Sequence, residues 1–315
     1  MSFHPQHLLG LAGLGADEIL ELLEGADRLW EAAGSASVPA SRVAGLSVAN
    51  LILEPSTRTR CSFEIAESRL GIERVTVRGE SSSLVKGETL VDTVRTLAAM
   101  GVNVFVIRHP EVGVPARVAE SLPEVHVVNA GDGTGEHPTQ GLLDLLVLRR
   151  RWGEVAGRTV LIVGDIIHSR VARSGFHGLR ALGAEVVLCG PTRFLPPPEA
   201  FPGARRTEDL DGALADCDAV MALRIQRERQ SGREESPDPE SYRRRYGLTA
   251  ERVGRLRAEV PVLHPGPLNR GVEIDSEVAD GPRSLIWMQV RAGVAVRMAV
   301  LTALAASPRG ADSRD

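Results

Sequence analysis

Short apolar runs alternate with amphipathic stretches along the first half of this chain, and that alternation most constrains the fold. The strand candidates are 46–53, 74–77, 102–107 and 125–129, and the helix candidates between them are 57–71, 88–100 and 114–121. Strands separated by helices usually pair in parallel, because each crossover helix returns the chain to the same end of the sheet. The first half therefore predicts an α/β domain.

A second alternating series follows a helix candidate at 138–151. Its members are 159–163, 169–182, 185–189, 210–215 and 219–222, and a final helix is predicted at 287–305. An amphipathic helix at 16–33 opens the chain, and the almost wholly polar stretch 227–246 predicts a mobile surface loop. The pattern indicates two α/β domains.

Composition limits the classes of function. The chain has 315 residues, 43% of them hydrophobic and 25% charged, which suits two domains with a core each. A formal charge of −4 argues against nucleic acid as a partner. No N-terminal signal is visible, and charged residues interrupt the apolar stretch 286–306, so we expect a cytoplasmic protein without a membrane span.

The three cysteines carry no pattern that predicts a disulfide or a metal site. Cys61, Cys189 and Cys217 lie far apart, without any C-x-x-C spacing. Neither a disulfide framework nor a zinc site is therefore indicated. We expect buried, reduced thiols.

The segment 54–60 places three hydroxyls and two guanidinium groups at a predicted helix start. Ser56, Thr57, Arg58, Thr59 and Arg60 follow an apolar strand and precede an apolar helical face. Free N–H groups and the positive end of the helix dipole favour an anion there, so the segment predicts a phosphate site. The alternative is that Ser56 only caps the helix and the arginines are solvated.

Ser-Thr-Arg-Thr on a strand-to-helix turn resembles the carbamoyl phosphate site of aspartate carbamoyltransferase catalytic chains. The resemblance runs from about residue 40 to about residue 300 through six separated motifs. It implies an α/β fold of two domains, each a parallel sheet flanked by helices, with the C-terminal helix returning to the first domain. Residues 1–150 with 287–315 would then bind carbamoyl phosphate, and 151–286 would bind aspartate.

The resemblance also assigns residues to carbamoyl phosphate. Catalysis falls to Arg58, Thr59, Arg108 and His137, and binding to these four together with Ser56, Thr57, Gln140, Gly266 and Pro267. Donors at Thr59, Arg108 and His137 would stabilise the oxyanion that forms as an amine attacks the carbonyl carbon, each worth roughly 3 kcal/mol. The resemblance further implies a cis bond between Gly266 and Pro267.

The aspartate half rests on arginines that follow strands of the second series. Arg170, Arg224, Gln226 and Lys86 match the positions that bind the two carboxylates. In the family, the loop with Ser82 and Lys86 reaches a neighbouring subunit's site, so the resemblance implies a homotrimer with shared sites. Regulatory chains or other pyrimidine enzymes could join it, and no metal or organic cofactor is implied.

Three alternatives stay open on the residues. An ornithine carbamoyltransferase typically has a cysteine near residue 266 and lacks the Lys86 loop signature, which favours aspartate here. A nicotinamide-dependent dehydrogenase would explain two α/β domains, but the turn after the strand 159–163 lacks G-x-G-x-x-G. A non-catalytic scaffold would be expected to have lost some of the matched arginines.

Overall fold

The chain divides into two compact units, and we describe each by itself. The computed structural model describes residues 5–35, 43, 45–78, 86–226, 229 and 237–307. The first unit comprises Met1–Leu146 and Val290–Asp315, and the second comprises Val147–Gln289. Each contains a parallel sheet with helices on its flanks, so the predicted fold class is confirmed.

The first unit is built on a four-stranded sheet. Its elements in chain order are α1 (Ala16–Arg28), α2 (Trp30–Gly34), β1 (Ser47–Ile52), α3 (Thr57–Arg69), β2 (Glu73–Arg78), α4 (Leu90–Ala99), β3 (Val104–His109), α5 (Val114–Ser121), β4 (His126–Asp132) and α6 (Pro138–Trp152), whose last six residues belong to the second unit. The strand order is β2-β1-β3-β4, all parallel. Because parallel strands end at one edge, the loops after β1, β3 and β4 open on the same side of the sheet.

Side-chain spacing explains how the first unit packs. Phe63, Ala66 and Leu70 of the α3 segment are fully buried, whereas Ile65, predicted on the same face, is 40% exposed. Positions 63, 66 and 70 recur every three to four residues, whereas 65 falls outside that stripe. The single predicted helix 16–33 is interrupted at Leu29, where φ and ψ are −93° and 1°.

The second unit is built on a five-stranded sheet. Its elements are β5 (Thr159–Val163), α7 (Arg170–Ala181), β6 (Glu185–Cys189), β7 (Arg205–Thr207), α8 (Leu210–Asp216), β8 (Ala219–Ala222), α9 (Pro239–Tyr246), α10 (Ala250–Gly254), β9 (Val262–Leu263), α11 (Ser276–Ala279) and the start of α12 (Ile286–Ala305). The order is β7-β6-β5-β8-β9, again parallel. Loops after β5, β8 and β9 therefore share one edge.

The predicted surface loop 227–246 is wrong over its last part, where α9 forms. Asp238 caps this helix by accepting a hydrogen bond from the Ser241 backbone N–H at 2.8 Å, and Pro239 occupies the first turn. Tyr242 and Tyr246, one turn apart, are buried in the core of the unit. Two aromatic anchors thus hold an otherwise polar helix. Residues 227, 228 and 230–236 lie outside the described residues.

The C-terminal helix α12 rejoins the first unit from Val290 onward, as predicted. Its length and a mean hydropathy of 1.3 would suit a membrane span, but 67% of that window is buried within the protein. Such burial is typical of a core helix. The helix also carries Arg297, which is 3% exposed and lies with its guanidinium carbon 4.9 Å from the Phe63 ring centre.

The cysteines are unpaired thiols. Burial raises the pKa of Cys189 to about 12 and that of Cys217 to about 11, so both thiols stay protonated at neutral pH. Cys61 is only half-buried, which corrects the expectation that all three lie in the interior. It sits on α3 beside the buried stripe rather than within it.

Candidate active site

Ser56 caps the helix that begins at Thr57. Its Oγ accepts a hydrogen bond from the Thr59 backbone N–H at 3.3 Å and donates to Thr59 Oγ1 at 2.9 Å. Thr57 and Arg58 are exposed, whereas Thr59 is 5% exposed. Hydroxyls and the first-turn N–H groups therefore share the start of α3, where the helix dipole favours an anion.

Arg108 joins the ends of two neighbouring strands. It lies inside β3 rather than after it, because the β3 ladder to β1 pairs Arg108 with Ile52. Its Nε donates to the Glu54 carbonyl at 3.2 Å, its Nη1 to the Ala130 carbonyl at 3.2 Å, and its Nη2 to Glu54 Oε1 at 2.9 Å. The guanidinium is thus fixed at the sheet edge that leads into α3.

His137 ends the loop between β4 and α6, and Gln140 lies in the first turn of α6. β4 extends to Asp132, three residues beyond the strand predicted at 125–129. His137 is 4% exposed and lies just before α6, and Gln140 is 8% exposed. The Gln140 side-chain nitrogen donates to Asp144 Oδ1 at 3.0 Å.

Two acids that the sequence analysis did not single out hold this loop. Asp132 accepts hydrogen bonds from the Glu136 N–H at 2.8 Å and the Gly113 N–H at 2.7 Å. Glu136 in turn accepts from the Leu11 N–H at 2.7 Å. The bonds to Gly113 and Leu11 join segments far apart in sequence, so no local pattern could have indicated them.

The structure describes Lys86 but not Ser82. Lys86 is exposed in a short turn before α4, and within the described ranges it makes no hydrogen bond or ion pair. Ser82 lies outside the described residues. Their predicted role in a neighbouring subunit's site stays a prediction.

In the second unit, one buried carboxylate connects two loops that carry predicted site residues. Asp165 is fully buried; its Oδ1 lies 2.7 Å from His168 Nδ1, and its Oδ2 accepts the Gln226 N–H at 2.9 Å. Arg170 is the first residue of α7 and is 3% exposed. Arg224, half-buried, precedes Gln226 on the loop after β8. The structure thus places Arg170 at the start of the helix that follows β5, and Arg224 and Gln226 on the loop that follows the neighbouring strand β8.

Gly164 permits this close approach of the two loops. Its φ is 135°, and a Cβ built there would lie 2.4 Å from the Leu223 carbonyl oxygen. An L side chain is both strained and blocked at that position. The glycine after β5 is therefore required for packing against the β8 loop rather than for a dinucleotide turn.

The segment after β9 contains Gly266 and Pro267. Their peptide bond is cis, as predicted, and Gly266 has a φ of 66°. Pro267 is exposed. Because β9 pairs with β8, this segment leaves the same sheet edge as the loop with Arg224.

The described part of the chain contains no group of three or more His, Cys, Asp and Glu side chains that could hold a metal ion. What these site residues offer instead is guanidinium groups, hydroxyls and backbone N–H groups at sheet edges. Such donors suit ligands rich in phosphate and carboxylate oxygens.

Comparison with known protein families identifies the family of this chain. Residues 6–150 match the family described as aspartate/ornithine carbamoyltransferase, carbamoyl-P binding domain, and residues 156–304 match its Asp/Orn binding domain. The chain belongs to the aspartate/ornithine carbamoyltransferase family.

Relatives within the carbamoyltransferase family cover nearly the whole chain. The aspartate carbamoyltransferase catalytic subunit of Gemmatimonas aurantiaca is 50% identical, over 95% of this chain and 93% of that protein. The structure of aspartate transcarbamoylase from Trypanosoma cruzi with carbamoyl phosphate superposes with a TM-score of 0.85 at 30% identity, covering 96% and 97% of the two chains. Ornithine carbamoyltransferase from Thermus thermophilus gives 0.83 at 26% identity, covering 95% and 99%.

Proposed function

We propose that this chain transfers the carbamoyl group of carbamoyl phosphate to the amine of L-aspartate, forming N-carbamoyl-L-aspartate and phosphate. The observation that carries the choice of aspartate is the pair of guanidinium groups, Arg170 and Arg224, on the segments that follow the neighbouring strands β5 and β8 of the second unit. Two arginines match two carboxylates, and the Gln226 side-chain amide adds a further hydrogen-bond donor.

The first unit binds carbamoyl phosphate in this proposal. Its phosphate lies at the start of α3, where Ser56, Thr57, Arg58 and Thr59 supply hydroxyls, a guanidinium and backbone N–H groups. The carbonyl oxygen takes hydrogen bonds from Thr59, Arg108 and His137. The bound relative from Trypanosoma cruzi, crystallised with carbamoyl phosphate, supports this ligand.

The chemistry needs no protein nucleophile. The neutral amine of aspartate attacks the carbonyl carbon, the new C–N bond forms, and charge builds on the carbonyl oxygen. Donors fixed before the reaction stabilise that charge without reorganising, which typically gives 10²- to 10³-fold per donor in kcat. The C–O bond then breaks, its electron pair leaves with phosphate, and phosphate takes the amine proton.

Ornithine is the second candidate acceptor, because the family description names both amines. Ornithine carries one carboxylate and an extra cation, which two arginines would repel. The segment 264–267 reads His-Pro-Gly-Pro and contains no cysteine, unlike the ornithine enzymes that the sequence analysis considered. We therefore favour aspartate.

The assembly and cellular setting are further parts of the proposal. The exposed Lys86, together with Ser82, would complete the site of a neighbouring subunit in a homotrimer. We place the protein in the cytoplasm, at an early step of pyrimidine synthesis. Relatives that carry the name catalytic subunit support an association with other chains.

Product formation tests the proposal directly. The purified chain is incubated with carbamoyl phosphate and L-aspartate, and N-carbamoyl-L-aspartate is measured against reactions that lack protein or amine. We expect product with the native chain and none above background with Arg58→Ala. A folded native chain that yields no product would contradict the proposed activity.

A further inference from the structure

Buried side chains accept hydrogen bonds from three of the four backbone N–H groups in the segment 264–269. The His264 N–H donates to Gln289 Oε1 at 3.0 Å, the Gly266 N–H to His264 Nδ1 at 2.8 Å, and the Asn269 N–H to Glu273 Oε1 at 2.6 Å. The side chains of His264 and Glu273 are both 0% exposed. Pro265 and Pro267 have no N–H to donate.

These bonds determine the tautomer of His264. Nδ1 accepts from the Gly266 N–H, so it carries no proton. The ring proton lies on Nε2, which is 3.2 Å from Glu273 Oε1 and donates to it. A neutral imidazole therefore connects the start of the segment to Glu273, and Glu273 connects it to Asn269 at the other end.

The backbone carbonyl oxygens of residues 265–268, in contrast, are not used within the part of the chain that the structure describes. Within the residues that the structure describes, no backbone N–H and no side chain donates to the carbonyl oxygens of Pro265, Gly266, Pro267 or Leu268. With three of its four N–H groups occupied and these carbonyls available, the segment mainly accepts hydrogen bonds. It favours an NH₂ group over an oxyanion.

We propose that His264 is a positioning residue, which with Glu273 holds the carbonyl oxygens of residues 265–268 in place for the NH₂ of the transferred group. This inference rests on the proposed carbamoyl transfer. The side chain does not touch the substrate; it acts through the Gly266 N–H and through Glu273. The hydrogen bonds of His264 and Glu273 to the segment are here called the clamp. Loss of the clamp allows the segment to shift, and a misplacement of about 1 Å can cost about 100-fold in rate.

Three variants of His264 separate the contributions of the two hydrogen bonds that its ring makes. His264→Ala removes both, and we expect kcat to fall about 100-fold. His264→Asn carries an oxygen near the place of Nδ1, so it keeps an acceptor for Gly266 and should recover about tenfold of the loss. His264→Gln can reach Glu273 but not Gly266, and should recover less. His126→Asn, a buried histidine in the first unit, is the matched control and should leave kcat within twofold.

A second readout distinguishes positioning from general damage. Binding of inorganic phosphate, measured by calorimetry, should stay within twofold of the native value in all three variants. A folded His264→Ala chain with native kcat would overturn the proposal, as would a parallel loss of phosphate binding and kcat in every variant.

The tautomer provides a test that needs no variant. Nitrogen-15 NMR of the native chain should show the His264 ring protonated on Nε2 alone. The His264 signal is assigned by its disappearance in His264→Asn. A proton on Nδ1 would overturn the clamp even if His264→Ala does not fold. An inactive native chain with the Nε2 tautomer would instead contradict the proposed activity and leave the clamp standing, so the two failures are distinguishable.

Discussion

Arg108 Nη2 lies 2.9 Å from Oε1 of Glu54, and the Arg108 side chain is 9% exposed. The same guanidinium also donates to two backbone carbonyls, one just after β1 and one in β4. A planar group with several fixed donors loses little freedom when a ligand binds. The contact therefore holds Arg108 at the sheet edge before carbamoyl phosphate arrives.

Replacement of Arg108 should mainly affect the chemical step. Arg108→Ala is expected to lower kcat by about 10²- to 10³-fold, because one donor to the developing oxyanion is lost. Arg108→Lys keeps the charge but not the fork, and should recover only part of the loss. Steady-state kinetics checks both. Arg117→Ala, which breaks an exposed ion pair with Glu111, is the control, and native-like kinetics of Arg108→Ala would contradict the role.

Replacement of Arg170 should act on the acceptor amine. Arg170→Ala removes a charge-assisted contact to a carboxylate, worth about 1.5–3 kcal/mol, so kcat/KM for aspartate should fall about 10- to 100-fold or more. The Kd for inorganic phosphate should not change. Arg180→Ala, exposed on the same helix, is the matched control. A rise in the phosphate Kd with an unaltered KM for aspartate would refute the assignment.

Glu67 should make stability depend on pH near neutrality. Burial raises its pKa to about 7, against smaller opposing effects of the Asn50 hydrogen bonds and the charge of Arg74. Glu67 lies on α3, and both of its carboxyl oxygens are 2.9 Å from Asn50 Nδ2 on β1. Because the folded pKa exceeds the unfolded one, the folded chain binds the extra proton. The stability that the raised pKa of Glu67 contributes is fully present below about pH 4.5 and is lost as the pH rises through about 7.

Linkage gives the size of that effect as roughly 3 kcal/mol at most. Glu67→Gln mimics the protonated side chain, so at pH 8.5 the variant should unfold at higher denaturant concentration than the native chain. Near pH 5 the two should be alike. Urea unfolding at both pH values measures this, and Glu120→Gln, at an exposed position on α5, is the control. An identical pH dependence in the native and Glu67→Gln chains would show that the carboxyl is not buried as described.

Mixed chains test the proposed shared site. Arg58→Ala and Lys86→Ala chains should each be inactive alone, whereas refolding them together should restore up to roughly a quarter of native activity if the trimer is statistical. Sites with Arg58 from one chain and Lys86 from its neighbour account for the recovery. Each variant refolded alone is the control. No recovery in a mixture that forms mixed trimers would argue against a contribution of Lys86 across subunits.

Local patterns predicted much of this fold because they report on local physics. Apolar runs between helices indicated parallel strands, and Ser56 before an apolar helical stripe indicated a capped helix. The cis bond before Pro267 followed from the family resemblance. These features depend on neighbours in sequence or on a motif, and both can be read from one chain.

The remaining features depend on contacts between distant segments. Tyr242 and Tyr246 anchor α9 in the core, although the residues around them are polar enough to predict a loop. Buried or half-buried carboxylates also connect loops through hydrogen bonds that no sequence pattern predicts. They belong to Glu54, Glu136, Asp165 and Glu273. A carboxylate on a predicted loop is usually solvated, so only its burial identifies it as part of a site.

The most direct measurement of the central claim is a competition between amines. L-aspartate and L-ornithine are supplied at equal concentration with carbamoyl phosphate, and both carbamoylated products are quantified by mass spectrometry, which gives the ratio of the two kcat/KM values. We predict N-carbamoyl-L-aspartate in at least about 10³-fold excess, because unmatched charged groups strongly reject the wrong amine. A predominance of N-carbamoyl-ornithine would contradict the roles given to Arg170 and Arg224.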